Sequence, residues 1–105
     1  MPKFLAQGTY TFEGIQGLVN EGGSARRAAV ERAVVALGAK LEAFYFAFGE
    51  HDIYAIVDAP DNVTVAALSL GIGASGVGGI RTTVLLTAEE IDLAAGKALK
   101  YPRTG

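Results

Sequence analysis

The sequence predicts an α+β fold, with four strands in one antiparallel sheet and helices laid along one side of it. Three observations carry this reading. Runs of aromatic and β-branched residues recur at positions 3–11, 40–48, 53–58 and 80–86. Helical patterns with recognisable caps stand between and after them. The two middle runs are joined only by the turn-like Gly49-Glu50-His51-Asp52, which makes them a β-hairpin.

The first strand, KFLAQGTYT, ends where Thr11 can cap a helix whose first turn holds Glu13. Ile15, Leu18 and Val19 share a face of that helix. Gly22-Gly23 interrupts it, and Ser24 is placed to cap a second segment over 24–38. There Val30, Ala33, Val34 and Leu37 recur at helical spacing. Arg27 and Glu31, four apart, are placed to pair on its surface. Gly38 suits the left-handed residue that ends a helix.

The hairpin follows. Pairing Phe48 with Ile53 sets Phe44, Phe46 and Phe48 on one face with Ile53, Ala55 and Val57. Leu41, Ala43, Tyr45 and Ala47 then share the other face with Tyr54 and Ile56. Neither face carries a charge in its middle, so both are expected to be buried. Pro60-Asp61-Asn62 opens a third helix, which is expected to unwind through Gly71 and Gly73 into a turn at 76–79. After the last strand, Thr87-Ala88-Glu89-Glu90 has capping-box spacing and begins a helix with Ile91, Ala94, Ala95 and Leu99 inward.

The order is the ferredoxin-like βαββαβ arrangement with an added C-terminal helix, in one domain over 1–100 with a short tail at 101–105. Helices then cover one face of the sheet and nothing in the chain covers the other. The mean hydropathy of +0.33 is high for so small a chain, which points to apolar area that one copy does not cover alone. A homodimer, or a higher oligomer of dimers, supplies the missing layer by sheet-to-sheet association as a dimeric α/β barrel.

A net charge of −2 gives no field for nucleic acid or an anionic membrane, and no apolar run approaches the roughly 20 residues of a bilayer span. Met1-Pro2-Lys3 leads straight into strand with no signal-peptide pattern. A cytoplasmic protein is therefore expected. With no cysteine and His51 as the single histidine, thiol chemistry, disulfides and multi-histidine metal sites are excluded. No cofactor and no metal is expected.

Gly71-Ile72-Gly73-Ala74-Ser75-Gly76 matches the G-x-G-x-x-G spacing of a dinucleotide-binding loop. Such a loop follows a strand and opens a helix whose N-terminus receives the pyrophosphate. Here helix precedes the glycines and strand follows them, so a nucleotide site is not expected.

At FYFAFGEHD, with MPKFLAQGTYTFEG, RRAAVERAVVALG, IVDAPDN and RTTVLLTAEEID in the right order, the chain resembles the GYD domain family over nearly its whole length. The resemblance implies a ferredoxin-like dimeric α/β barrel and no particular reaction. The family's Gly-x-Tyr-Asp hairpin motif aligns with Gly49, Glu50, His51 and Asp52, so histidine stands where tyrosine is usual. Dimeric α/β barrels at large include cofactor-free monooxygenases, haem enzymes and ligand-sensing domains, and the fold decides little among them.

Setting the phenylalanine face against the helices turns Tyr45 and Tyr54 toward the barrel, with Gln7 and Thr9 by parity and Arg81 and Thr83 from the last strand. Phe4, Ala6, Gly8 and Tyr10 then lie under the helices. The expected ligand-binding set is Tyr45, Tyr54, Gln7, Arg81, His51 and Asp52, in a small-molecule binding or sensing module. The alternative is a cofactor-independent enzyme, monooxygenase- or isomerase-like, acting on a small hydrophobic substrate.

Overall fold

A computed structural model describes residues 1–75, 77–100 and 102. Gly76, the last glycine of the hexapeptide, and most of the expected tail therefore lie outside the described residues. The elements run β1 (Lys3–Tyr10), α1 (Phe12–Glu21), α2 (Gly23–Ala36), β2 (Lys40–Phe46), β3 (Ile53–Asp58), α3 (Asn62–Ala74), β4 (Val77–Leu85) and α4 (Ala88–Gly96). The strands form one antiparallel sheet in the order β2-β3-β1-β4. This is the α+β ferredoxin-like arrangement, with its first helix broken in two and a helix added at the end.

The caps are mostly those the sequence calls for. Thr11 accepts from the Gly14 N–H, Asp61 from the Thr64 N–H, and Thr87 and Glu90 close a full capping box. Ser24 is the exception. The break between α1 and α2 falls on Gly22, whose φ of +86° only glycine adopts easily, and α2 begins at Gly23 without a side-chain cap. Gly38, at φ +77°, ends the helical stretch as expected. The ion pair that forms here is Arg26 to Glu21 across the break, and Arg27 with Glu31 is not among the ion pairs of the described residues.

The core lies between the helices and one face of the sheet. Phe4, Tyr10, Leu41, Phe44, Ile53, Ala55 and Val57 supply the sheet side, and Val34, Val65 and Leu68 press on them from α2 and α3. Tyr10 also carries the Arg26 guanidinium 5.2 Å above its ring. The strand parity read for β1 therefore holds.

The hairpin register differs from the expected one. Phe46, not Phe48, stands opposite Ile53, and Phe48 is fully exposed beyond the end of β2. Asp52 explains the slip. Its N–H donates to the Gly8 carbonyl at 2.8 Å, drawing the chain onto β1, while its own carbonyl accepts from Ala47. A second irregularity between Leu41 and Ala43 leaves Glu42 unpaired. That bulge reverses the parity before it, so Leu41 is buried with Phe44 on the helix side instead of joining Tyr45.

Three further expectations need correction. Gly71 and Gly73 do not unwind α3, which continues to Ala74. Residues 77–79 belong to β4, not to a turn, because β1 is long enough to pair with them across a bulge at Thr9 and Tyr10. In α4 no residue is buried, so Ile91, Ala94 and Ala95 are exposed instead of packed inward, and the helix stops before Leu99.

Candidate functional site

The face of the sheet turned away from the helices has no buried residue among those described. Directly opposed residues in neighbouring antiparallel strands share a face, and the register places Tyr45 opposite Tyr54, Tyr54 opposite Gln7, and Gln7 opposite Arg81. These four, expected separately from parity, form one unbroken row across all four strands. Tyr45 is 70% exposed and Tyr54 half-buried.

Next to this row lies an apolar one of Ala43, Ile56, Leu5 and Thr83. Beyond it the face ends in a charged cluster. The Lys3 ammonium donates to Asp58 at 2.8 Å and to Glu42 at 2.6 Å, and these bonds, Asp58 first, hold its pKa above the ordinary lysine value. Spacing does not announce this cluster, since Glu42 reaches Lys3 only because of the bulge.

At the other end stands His51. Its ring meets that of Tyr54 edge-on, with centroids 5.9 Å apart. Its Nδ1 lies 3.3 Å from the Thr9 hydroxyl, which itself extends from β1 on the open face. Asp52 does not join the row. Its Oδ2 accepts a 2.8 Å hydrogen bond from the backbone N–H of Tyr10, where β1 leaves its regular register with β4. Of the six residues expected to bind a ligand, the fold therefore brings five to one end of the open face and gives the sixth a bond to the backbone.

The row offers two phenols, a carboxamide and a guanidinium, groups that can all donate hydrogen bonds, with the fixed positive charge at the Arg81 end. Among the described residues no three His, Asp or Glu side chains gather as a metal site, and no helix is long and apolar enough to cross a membrane.

A cavity of about 680 Å³ opens on the other side of the sheet, between α1 and α2 on one flank and α3 on the other. Val30, Val34, Leu68 and Ile72 line it, and small residues such as Ala29 and Ala33 leave it unfilled. Gln7 alone of the six borders it. Its one guanidinium, Arg26, is already committed to Glu21 and to the Tyr10 ring. Tyr10, Glu13, Ser69, Ser75 and Thr82 also border the cavity.

The model of the GYD domain family matches residues 4–95. Comparison with curated proteins and with solved structures gives no match.

Proposed function

Since the chain belongs to the GYD domain family, we propose from its geometry that it is a small-molecule binding module working as a homodimer. The row of Tyr45, Tyr54, Gln7 and Arg81 across an uncovered sheet face is the observation that carries this reading. A sheet with one bare face and apolar residues in the middle of it needs a further layer. A second copy brings the same surface, and a twofold axis pairs such a surface with itself. The two rows then enclose a space between sheets that holds a planar aromatic or polar ligand, its acceptor oxygen toward Arg81. His51 closes one end of that space beside Tyr54.

Native mass spectrometry of freshly purified protein tests both halves of the proposal. The expected result is twice 10.9 kDa plus a small mass that is released on denaturation and lost in Arg81→Ala. A bare monomer contradicts it. A second reading, favoured by the volume of the helix-side cavity, puts the ligand there instead. In that case Ala33→Phe abolishes retention and Arg81→Ala does not.

A further inference from the structure

The helices that cover the sheet stand apart from one another. In the strand order β2-β3-β1-β4, α2 packs on β2 at one edge and α3 on β4 at the other. The central strands β3 and β1 therefore form the floor of the helix-side cavity. Its volume of about 680 Å³ lies in the range of small-molecule pockets. Small residues hold this space open. Ala6 stands opposite Ala55 in the middle of the floor, while Ala29 and Ala33 of α2 and Gly71 of α3 line the walls.

The cavity is slender. Phe4, Val34 and Val57 line it and are at most 3% exposed, so it is too narrow for a helix about 10 Å across and suits a hydrocarbon chain. It is also polarised along β1, whose stretch from Phe4 to Tyr10 spans about 20 Å. At the Phe4 end, where α2 finishes and α3 starts, Val34, Leu37, Val57 and Val65 line it. At the Tyr10 end, where α1 meets α2 and α3 finishes, stand Glu13, Glu21, Arg26 and Ser75. Between the two ends, the hydroxyls of Ser69 and Thr82 bond to each other at 3.2 Å.

Hydrocarbon walls give water few partners, so such a space favours an apolar occupant. The polar end sets a further condition. It holds two carboxylates and one guanidinium, and Glu21 already engages Arg26, so a further anion is repelled there.

We propose that this cavity is a second binding site, for a neutral molecule with a slender hydrocarbon body and one hydrogen-bonding end, of the class of a medium-chain alcohol. The hydrocarbon lies over Ala6 and Ala55 toward Phe4, and the hydroxyl lies at the Tyr10 end. Tyr45, Tyr54 and Arg81 do not border this site, and it is complete within one chain. It goes beyond the open-face reading and stands without the homodimer.

Calorimetric titration with 1-decanol, below the concentration at which it aggregates, is the test. One saturable site per chain is expected, and the carboxylate decanoate is expected to bind about tenfold more weakly or worse. Ala33→Phe and Gly71→Leu each add a side chain at the cavity wall, and a β-carbon at Gly71 meets no atom within 4 Å. Both variants are expected to lose decanol binding with the circular dichroism of the fold retained, whereas Arg81→Ala and Tyr45→Asp keep it. Absence of saturable decanol binding overturns the proposal, and decanoate binding as tightly as decanol overturns the choice of a neutral end. Binding that is lost in Arg81→Ala and kept in both cavity variants overturns the cavity site and leaves the open-face reading standing.

Discussion

The Asp52 carboxylate accepts a 2.8 Å hydrogen bond from the backbone N–H of Tyr10, joining the hairpin turn to the end of β1. That N–H sits at the irregularity between Thr9 and Tyr10 where regular β1–β4 pairing lapses, and the bond satisfies a half-buried donor. The same residue's N–H bonds to the Gly8 carbonyl, so Asp52 holds β1 through both side chain and backbone.

Asp52→Ala is therefore expected to lower stability by about 1 kcal/mol or more, since it strands the Tyr10 N–H. His51→Tyr is expected to be close to neutral for folding, because the contacts of His51 with Thr9 and Tyr54 lie at the edge of the open face. Denaturant titration of the two variants checks both statements. An Asp52→Ala protein as stable as wild type contradicts this account of the turn.

Gly71 and Gly73 are helical, and a β-carbon built on either meets no atom within 4 Å. Gly73→Ala is expected to raise stability by up to about 1 kcal/mol through helix propensity alone. The helix ends after these glycines and none begins there, so no helix N-terminus is presented to a phosphate. Calorimetric titration with NAD, NADP and ATP is expected to show no binding. Micromolar binding that vanishes in Gly73→Val contradicts the topology.

Two charges at the surface, exposed Asp61 and half-buried Lys3, give opposite dependences on pH. Asp61 accepts from both the N–H and the hydroxyl of Thr64 at 2.8 Å, and these bonds, the backbone one first, lower its pKa below 3.8. A pKa lowered by folding adds stability above the unfolded value and loses it as pH falls through the folded one. Lys3 behaves in reverse. Its raised pKa adds stability below 10.5 that disappears as pH rises through the folded value. The stability gap between wild type and Asp61→Asn should close in acid, and that between wild type and Lys3→Met in strong base. Both gaps are small because Asp61 is exposed and Lys3 remains partly open to solvent.

Much of this fold was legible because its signals are local. Capping residues, the alternation of β1 and the reversed order around the glycines each depend on a few neighbouring side chains. The hairpin register was not legible, because it is set by Asp52 bonding to β1, a strand far away in sequence. The bulge at Glu42 was missed for a related reason, since the alternation of 40–46 reads equally well without it and the error misplaces only Leu41. The row of Tyr45, Tyr54, Gln7 and Arg81 survived both errors. Each of its members lies beyond the bulge or on another strand, and slipping the β2–β3 pairing by two residues preserves the face. Ile91, Ala94 and Ala95 of α4 were expected inward and are exposed, because periodicity reports which side of a helix is apolar and not whether anything covers it.

The central claim is that the open sheet face is closed by a second copy, and Tyr45, 70% exposed in the single chain, tests it most directly. Light scattering at micromolar concentration is predicted to find wild type as a dimer and Tyr45→Asp as a folded monomer, since an unpaired charge buried between the sheets costs several kcal/mol. A wild-type protein that stays monomeric, or a Tyr45→Asp protein that dimerises as wild type does, contradicts the claim.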